Sequence, residues 1–536
     1  MVGIGSNNLN IHVVCYLLSV NMEELKNISP REYQKSIVET AKENNTLVIL
    51  PTGIGKTLIA LMLSIDRIKK FPGKKILILA PTKPLVEQHL ESFKKQLPEL
   101  FAELDIFTGT VNSKKRKEIW RSAEIIFSTP QCIANDVRKG LYNLEDVSLL
   151  VIDEAHRCLK NYDYNYVANA YKEQSKNQRI LGLTASPGSD KERVTQICKN
   201  LDIEKLEIRS RDSVDVKPYL QERTFEKHEV PFPNEFVEIR TLLKKIFDSK
   251  IEQLKSRNLL FEPANKITLL KLQNRLASQV SPGNFNAMIG MSLCAQAIKI
   301  SHASELLETQ TLSGLNEYLK GLQKQAIEKK SRGVQTLVNS AEFRASIISL
   351  NKLIEQKIEH PKIDELKTLI ENEFKNNKNS KIMIFAQFRE TASVIAKNLN
   401  TIPGVNAKTF IGQAKKQQSG VSTGLSQKEQ KNVIDQFKSG EVNILCATSI
   451  GEEGLDIPEV NAVYFYEPIP SEIRKIQRAG RTARLMKGKL AILITKGTRD
   501  EAHHYASIAR EKKMHKTIES VNKDLQDKNR TLDKFK

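Results

Sequence analysis

Residues 47–57 read Leu47-Val48-Ile49-Leu50-Pro51-Thr52-Gly53-Ile54-Gly55-Lys56-Thr57, and this stretch decides the fold of the surrounding chain. Its first four residues are apolar and typical of a buried strand, whereas the amphipathic segment Leu58 to Lys69 is typical of a helix. Glycines between a strand and a helix allow a tight turn, whose N–H groups can surround phosphate oxygens at the helix N-terminus. The stretch therefore predicts a phosphate-binding loop. A glycine-rich turn without a ligand is the alternative, because Leu50 stands where the general pattern has glycine.

In the predicted loop, Lys56 would reach the β and γ phosphates of a nucleotide, and the Thr57 hydroxyl would hold Mg²⁺. The full set of predicted nucleotide contacts in this loop is Thr52, Gly53, Ile54, Gly55, Lys56 and Thr57.

Short apolar runs alternate with amphipathic segments on both sides of a long helical middle. The runs of the first half include Lys75 to Ala80, Glu124 to Ser128, Ser148 to Ile152 and Arg179 to Leu183. Those of the second half include Lys381 to Ala386, Val442 to Ala447, Ala462 to Tyr466 and Leu490 to Thr495. Nearly continuous apolar strands separated by helices are typical of parallel sheets covered on both faces. The sequence therefore predicts two α/β domains.

The middle of the chain has apolar residues at steps of three and four, as at Leu269, Leu272 and Leu276, and it predicts a helical domain. The predicted division is an extension at 1–21, a first α/β domain at 22–205, a linking segment at 206–232, a helical insert at 233–360, a second α/β domain at 361–510 and a charged tail at 511–536. The tail is predicted as a helix that frays into solvent. Whether residues 1–21 belong to the native protein is open, because Met22 is an alternative start of translation.

The composition narrows the functional class. The 536 residues carry a net charge of +20, which favours a polyanionic partner, nucleic acid first and an anionic membrane surface second. With 40% hydrophobic and 27% charged residues, wholesale disorder and a fibrous repeat are excluded. Near the start, the longest apolar stretch has ten residues, about half of a membrane span. Six cysteines without a Cys-x-x-Cys pair favour a reducing cytosol over a zinc or disulfide framework.

Two carboxylates, Asp153 and Glu154, directly follow the apolar run Ser148 to Ile152. The carboxyl ends of parallel strands are where α/β sheets bind ligands. Asp153 is suited to holding Mg²⁺ and Glu154 to orienting or deprotonating an attacking water. An acidic pair after a strand is common, so its significance here comes from the phosphate loop that precedes it.

A third group of residues is Gln477-Arg478-Ala479-Gly480-Arg481-Thr482-Ala483-Arg484. Arg481 and Arg484 are three apart, and on a helix they would project from one face as a phosphate clamp supplied by the second domain. Gln477 is the third catalytic candidate in this group. The alternative is a basic, solvated helix face.

In this order the three groups resemble the motor core of superfamily 2 helicases, and further motifs extend the resemblance from Arg31 to Arg484. The resemblance implies two RecA-like motor domains that bind ATP and Mg²⁺ between them. It assigns adenine recognition to Arg31 and Gln34, coupling of hydrolysis to domain movement to Leu183 to Gly188, and further nucleotide contacts to Gly454 and Asp456. It assigns nucleic-acid contacts to Thr82, Lys83, Thr108, Gly109, Thr129, Gln387, Arg389 and Thr448.

The helical insert narrows the resemblance to the group of Hef, FANCM, RIG-I-like and Dicer helicases. Within this group, the residues of the motifs are most similar to those of the archaeal Hef branch. In that branch leucine is usual at the position of Leu50. In contrast, Arg and Gly are common at the positions of Ala479 and Ala483. Too few residues follow Arg484 for the nuclease that Hef proteins often have, so a helicase-only form is expected.

The resemblance implies an ATP-dependent DNA helicase or translocase that unwinds or remodels forks and junctions in replication-fork repair, with the insert against a duplex arm. Branched DNA is the expected partner, with repair or replication proteins besides it and no membrane. The expected location is the cytoplasm, at the nucleoid. Two alternatives stay open: a double-stranded-RNA-directed ATPase of the RIG-I or Dicer type, and a scaffold with a decayed motor.

Overall fold

The computed structural model describes residues 25, 28–98, 101–160, 162–281, 284–412, 417–418, 421–422, 424–451, 457–482 and 487–533. Within them, two parallel sheets are joined by a helical domain, which confirms the predicted α/β architecture with a helical insert.

The first sheet has seven strands, all parallel. They are Thr46–Ile49 (β1), Lys75–Leu79 (β2), Leu104–Phe107 (β3), Ile125–Ser128 (β4), Val147–Asp153 (β5), Ile180–Thr184 (β6) and Lys205–Ile208 (β7). Their order in the sheet is β3-β4-β2-β5-β6-β1-β7. Alternate residues of β2 enter two different apolar cores, one on each face, because helices cover both sides. These helices are Glu32–Glu43 (α1), Lys56–Lys70 (α2), Lys83–Gln96 (α3), Ser113–Ser122 (α4), Pro130–Arg138 (α5), Asp163–Gln174 (α6) and Lys191–Asn200 (α7).

The second sheet has six parallel strands. They are Arg223–Val230 (β8), Ile382–Phe385 (β9), Ala407–Phe410 (β10), Ile444–Ala447 (β13), Ala462–Phe465 (β14) and Gly488–Thr495 (β15), in the order β10-β13-β9-β14-β15-β8. A separate antiparallel pair consists of Gln417–Gln418 (β11) and Val421–Ser422 (β12). The helices of this domain are Lys362–Asn376 (α14), Arg389–Leu399 (α15), Gln427–Ser439 (α16), Glu472–Ala479 (α17) and Arg499–Asp533 (α18).

Strand β8 ties the chain to the second sheet before the insert begins. All eight of its residues pair in parallel with β15, from Arg223 beside Gly488 to Val230 beside Thr495. The segment 206–232, which the sequence suggested as a linker, therefore also supplies an edge strand to the second domain. The helical domain is therefore inserted into the second domain, between β8 and β9.

The insert consists of Val237–Ser256 (α8), Lys266–Ser278 (α9), Phe285–Thr309 (α10), Leu312–Ile327 (α11), Arg332–Val338 (α12) and Ala341–Glu355 (α13). The leucines whose spacing predicted helices, Leu269, Leu272 and Leu276, are buried in one apolar core of the insert, and Leu315 and Leu319 of α11 are buried in a second. Among all the residues that the structure describes, no helix is both long enough and apolar enough to cross a membrane.

The last helix, α18, differs from the expected solvated tail. Met514, Ile518 and Val521 are buried in a core of the first domain, and Thr517 Oγ1 donates to Ser189 O at 3.2 Å. These apolar residues are four and three positions apart, so they line one side of a helix whose other sides are charged. As a result, α18 starts on the second domain and packs against the first.

Candidate functional site

The predicted phosphate loop lies between β1 and α2. Gly53 and Gly55 have φ angles of 81° and 87°, in the left-handed region that favours glycine. A side chain at Gly55 would also overlap the Gln34 amide. Leu50 is fully buried, and its carbonyl accepts a hydrogen bond from Lys56 Nζ at 3.2 Å. Because only the backbone of residue 50 serves the loop, leucine is compatible with this fold of the loop.

Helix α1 holds the loop from the other side. The Tyr33 hydroxyl donates to Ile54 O at 2.6 Å, and Gln34 Nε2 donates to the same carbonyl at 3.4 Å. The Arg31 guanidinium lies 4.9 Å from the centre of the Tyr219 ring. Gln34, predicted to recognise adenine, is therefore adjacent to the phosphate loop, and Arg31, predicted with it, is linked to the loop through the Tyr33 hydroxyl.

Asp153 and Glu154 lie at the carboxyl end of β5, and both are buried. Asp153 Oδ1 accepts the Glu154 N–H at 2.9 Å, and Asp153 Oδ2 lies 2.9 Å from His89 Nε2. Burial alone would raise the pKa of the Asp153 carboxyl, but the hydrogen bond from His89 and the charges of His89 and Lys56 lower it below its ordinary value. Asp153 is therefore held as a carboxylate.

Glu154 has a left-handed backbone, with a φ of 52°, which is uncommon for a residue other than glycine. Such conformations are frequent at functional sites. Its Oε2 lies 3.2 Å from His156 Nδ1, and the same nitrogen is 3.2 Å from Thr184 Oγ1 at the end of β6. The proposed base is thereby linked to the Leu183 to Gly188 segment that the sequence assigned to coupling.

The candidate magnesium ligands fit a cation that is shared with phosphate. Thr57 and Asp153 supply a hydroxyl and a carboxylate, the oxygen ligands that Mg²⁺ prefers. No group of three or more His, Cys, Asp or Glu able to enclose a metal occurs in the described chain, so phosphate and water oxygens would have to complete the coordination. The Thr52 hydroxyl is buried without a hydrogen-bond partner in the protein, and Gly480 of the second domain packs against it.

The second domain reaches the phosphate loop through the end of α17. A Cβ on Gly480 would lie 2.8 Å from Thr52 Cβ, so the two domains are in direct contact here. Gln477 and Arg481 are buried near this contact, and the backbone of Arg481 is fixed because its carbonyl accepts the Val460 N–H at 3.1 Å.

The predicted common helix face for Arg481 and Arg484 differs from the structure. Helix α17 ends at Ala479, so Arg481 lies beyond it. Arg484 lies outside the described residues, as do Gly454 and Asp456. Ala479, one of the two departures from the Hef pattern, packs in an apolar core of the second domain.

The predicted nucleic-acid contacts all follow carboxyl ends of strands. Five strands lead to these residues, which are Thr82 and Lys83 after β2, Thr108 and Gly109 after β3, Thr129 after β4, Gln387 and Arg389 after β9, and Thr448 after β13. Thr82 Oγ1 is buried without a hydrogen bond, and Gln387 is exposed. An interdomain cleft of roughly 690 Å³ has Thr82, Arg157, Ser449, Arg474 and Gln477 in its lining. The structure thus places residues of both domains along one cleft.

The sequence analysis missed the role of two residues at this site. His89 contacts Asp153 although 64 positions separate them, and no local sequence pattern predicts that contact. Gly480 was part of the quoted Arg-rich group, but its closeness to Thr52 depends on the packing of two domains. A glycine in the middle of a basic helix end was the one available signal.

Three family models match successive parts of the chain. They are the DEAD/DEAH box helicase at 31–194, the helical bundle described for ATP-dependent RNA helicases at 235–359, and the helicase conserved C-terminal domain at 361–486.

Curated relatives and a solved structure cover nearly the whole chain. The ATP-dependent RNA helicase designated MJ1505 of Methanocaldococcus jannaschii is 38% identical over 498 residues, which are 92% of this chain and 61% of that protein. The ATP-dependent DNA helicase fml1 of Schizosaccharomyces pombe is 33% identical over 483 residues, 88% of this chain and 57% of its own. The chain thus spans about three fifths of these relatives. The crystal structure of the Pyrococcus furiosus Hef helicase domain is 43% identical with a TM-score of 0.67, and the match covers 89% of this chain and 98% of that domain.

Proposed function

The chain belongs to the Hef family of superfamily 2 helicases, which use ATP and act on nucleic acid, and on that premise we propose that it unwinds or remodels branched DNA, such as forks and junctions, in replication-fork repair. The observation that most directly supports an ATP-driven motor is the contact of Gly480 with Thr52. It brings the second domain against a phosphate loop that is flanked by Lys56, Asp153 and Glu154.

In the proposed mechanism the first domain supplies charge and the base. Lys56 balances the charge of the β and γ phosphates, and the Thr57 hydroxyl and the Asp153 carboxylate would hold Mg²⁺. When bound, Mg²⁺ neutralises charge on the phosphate oxygens. Glu154 orients the attacking water and accepts its proton.

The second domain supplies further positive charge from the other side of the nucleotide. Arg481 stabilises the charge that develops on the γ-phosphoryl group, and Gln477 lies beside it. The sequence assigns the same role to Arg484. Because these residues belong to a different domain from Lys56, hydrolysis requires both domains to be closed, and product release lets them separate.

Movement along nucleic acid follows from contacts in both domains. Thr82 and Thr129 belong to the first domain, whereas Gln387 and Thr448 belong to the second. If each pair contacts phosphates of one strand, closing the domains shortens the distance between the pairs and advances the strand. Phosphate contacts contain little sequence information, so recognition depends on the form of the substrate, and affinity falls with salt.

The insert supports a preference for branch points. Five exposed apolar side chains, which we call the apolar tip, lie in the segments before and after α9 and at the start of α10: Phe261, Val280, Phe285, Met288 and Ile289. Residues 250–290 contain six Lys and Arg but two Asp and Glu. Aromatic rings can stack on unpaired bases while cations neutralise phosphates, so this surface suits the junction between duplex and single strand.

The alternative is a motor directed to double-stranded RNA. It is supported by the insert family and MJ1505, both of which are described as RNA helicases. Steady-state ATP hydrolysis with forked DNA, linear duplex DNA and double-stranded RNA as separate activators tests the proposal. We expect the largest stimulation with forked DNA. The strongest stimulation by RNA would favour the alternative, and no hydrolysis with any of them would favour the scaffold.

A matched pair of variants tests the site. Lys56→Ala should abolish hydrolysis because the phosphates lose their counter-charge, whereas Lys70→Ala, an exposed residue at the end of the same helix, should leave it unchanged. Full activity of Lys56→Ala would contradict the site assignment. Contacts with repair or replication proteins, and a location at the nucleoid, remain predictions that follow from the proposed substrate.

A further inference from the structure

His89 is the one side chain of the described residues that hydrogen-bonds the Asp153 carboxylate. It lies on α3, is buried, and its Nε2 is 2.9 Å from Asp153 Oδ2. A carboxylate can only accept hydrogen bonds, so Nε2 bears the proton of this contact. The other carboxylate oxygen is fixed by the backbone N–H of Glu154. The orientation of Asp153 therefore depends on His89.

The same helix begins at a candidate nucleic-acid contact. Thr82 is the residue that precedes α3, and its hydroxyl is buried without a hydrogen-bond partner in the protein. His89 follows seven residues later, which is two helical turns and about 10 Å along the axis. Residues seven apart lie on nearly the same side of a helix. One helix thus joins the proposed strand contact to the proposed magnesium ligand.

Helix α3 is anchored in the core, so it would shift as a unit. Val86 and Phe93 are fully buried, and the Phe93 ring packs edge-on against Phe127 with 5.0 Å between the ring centres. Phe127 belongs to β4, which leads to Thr129, another candidate strand contact. Close-packed elements of this kind transmit displacements instead of absorbing them. A small shift of α3 on strand binding would therefore move His89.

We propose that His89 is a positioning residue that orients the Asp153 carboxylate toward Mg²⁺ and relays nucleic-acid binding at Thr82 to it. This inference rests on the proposed function, because it requires Asp153 to be a magnesium ligand. Without His89 the carboxylate can rotate, and loss of such an outer hydrogen bond reduces metal affinity or activity about 10- to 100-fold.

The test measures magnesium dependence apart from turnover. A fluorescent, non-hydrolysable ATP analogue is titrated onto the full chain over a range of Mg²⁺ concentrations and in EDTA. For His89→Leu we expect the half-saturating Mg²⁺ concentration to rise about tenfold while binding in EDTA is unchanged. ATP hydrolysis with and without forked DNA should show a smaller stimulation factor. His89→Gln, which keeps an N–H donor, should restore part of both effects.

Two controls separate this role from a structural one. Gln88→Ala alters the exposed neighbour on the same helix and should match the wild type. If His89→Leu does not fold, His89→Gln and His89→Asn replace it, and the proposal then requires tighter Mg²⁺ binding for Gln, whose amide reaches farther. A lower unfolding temperature with unchanged magnesium dependence and unchanged stimulation would overturn the proposal.

The Lys56→Ala variant shows which inference has failed. If Lys56→Ala loses binding of the analogue but His89→Leu behaves as the wild type, the role of His89 is wrong and the proposed site stands. If Lys56→Ala also binds the analogue normally, the proposed site itself is wrong, and the inference about His89 falls with it.

Discussion

Gly480 of the second motor domain packs directly on Thr52 of the phosphate loop, leaving no space for a Cβ between them. A Cβ at position 480 would lie 2.8 Å from Thr52 Cβ and would overlap the Thr52 hydroxyl. The backbone of Gly480 has a φ of −77°, which any residue can adopt. Glycine is therefore needed here for the approach of the two domains and not for its own conformation.

Gly480→Ala should fold normally and hydrolyse ATP at least tenfold more slowly, because the added methyl group holds the second domain away from the phosphate loop. Steady-state hydrolysis with saturating forked DNA measures the effect, and thermal unfolding verifies the fold. Gly321→Ala is the matched control, since a Cβ there meets no atom within 4 Å. Equal activity of the two variants would show that the motor does not need this approach.

The apolar tip should determine the preference for branched substrates. Phe261 and Phe285 are 79% and 70% exposed, so their truncation removes contacts without opening a cavity. Because stacking of one base on an aromatic ring contributes about 1–3 kcal/mol, the double variant Phe261→Ala, Phe285→Ala should bind forked DNA at least about fivefold more weakly. Binding to linear duplex should change little.

Fluorescence anisotropy with a forked and a linear duplex of equal length measures this preference. Ile348→Ala removes a similarly exposed apolar side chain from α13 and should leave the preference unchanged. An undiminished preference in the double variant would assign the tip to another partner, such as a protein.

A buried ion pair should stabilise the first domain and the loop at Thr108. Arg116 and Asp136 form two hydrogen bonds of 2.6 Å each, and Arg116 also donates to Val111 O in that loop. Removing one partner of a buried pair leaves an uncompensated charge, so Asp136→Ala should lower the free energy of unfolding by about 3–5 kcal/mol. Urea denaturation followed by circular dichroism measures this change.

The double variant Arg116→Met, Asp136→Leu provides the contrast. Apolar residues of similar volume need no counter-charge, so part of the stability should return, although the Tyr142 hydroxyl loses its acceptor. Nucleic-acid affinity should fall in this double variant because Val111 loses its donor. A double variant as unstable as Asp136→Ala would show that the loss arises from packing.

Strand positions could be predicted where burial alone decides them. The apolar run Lys75 to Ala80 corresponds to β2 at Lys75–Leu79, and Ser148 to Ile152 falls within β5. Strand β8 was not predicted because its residues are mostly charged or polar, as suits an edge strand, in which Phe225 is 51% exposed. Such a strand is defined by pairing with β15 and not by its own apolar content.

Contacts between distant elements could not be predicted from local patterns. The burial of Met514 and Ile518 depends on the first domain lying beside α18, although their spacing was a visible signal of an apolar side. The contact of His89 with Asp153 has no such signal, and the glycine at position 480 was the one hint of its contact with Thr52, because each contact joins elements through tertiary packing. The strand, turn and helix around Gly53 and Gly55 were predictable because their residues are contiguous in the sequence.

The last prediction concerns a buried acid where α14, α17 and α18 meet the second sheet. Glu467 follows β14 and is buried, facing Lys362, Arg478 and Asp500. Burial raises its pKa to about 7, although the two cations lower it in part. Lys362 is itself fully buried in an ion pair with Asp500. The region therefore contains an acid that the folded protein keeps protonated more readily than the unfolded chain does.

The sign of the pH dependence follows from this difference. The folded pKa lies above the unfolded value of about 4.5, so the contribution of Glu467 to stability is complete below pH 4.5 and is lost as the pH rises through 7. At pH 5 Glu467→Gln should unfold at nearly the same temperature as the wild type, since both side chains are neutral when folded. At pH 8.5 the variant should be more stable, by up to roughly 3 kcal/mol, because it buries no charge. Thermal unfolding of both proteins across this range measures the difference, with the exposed Glu371→Gln as control. A difference that is the same at every pH would mean that Glu467 is ionised throughout, with Lys362 and Arg478 balancing its charge.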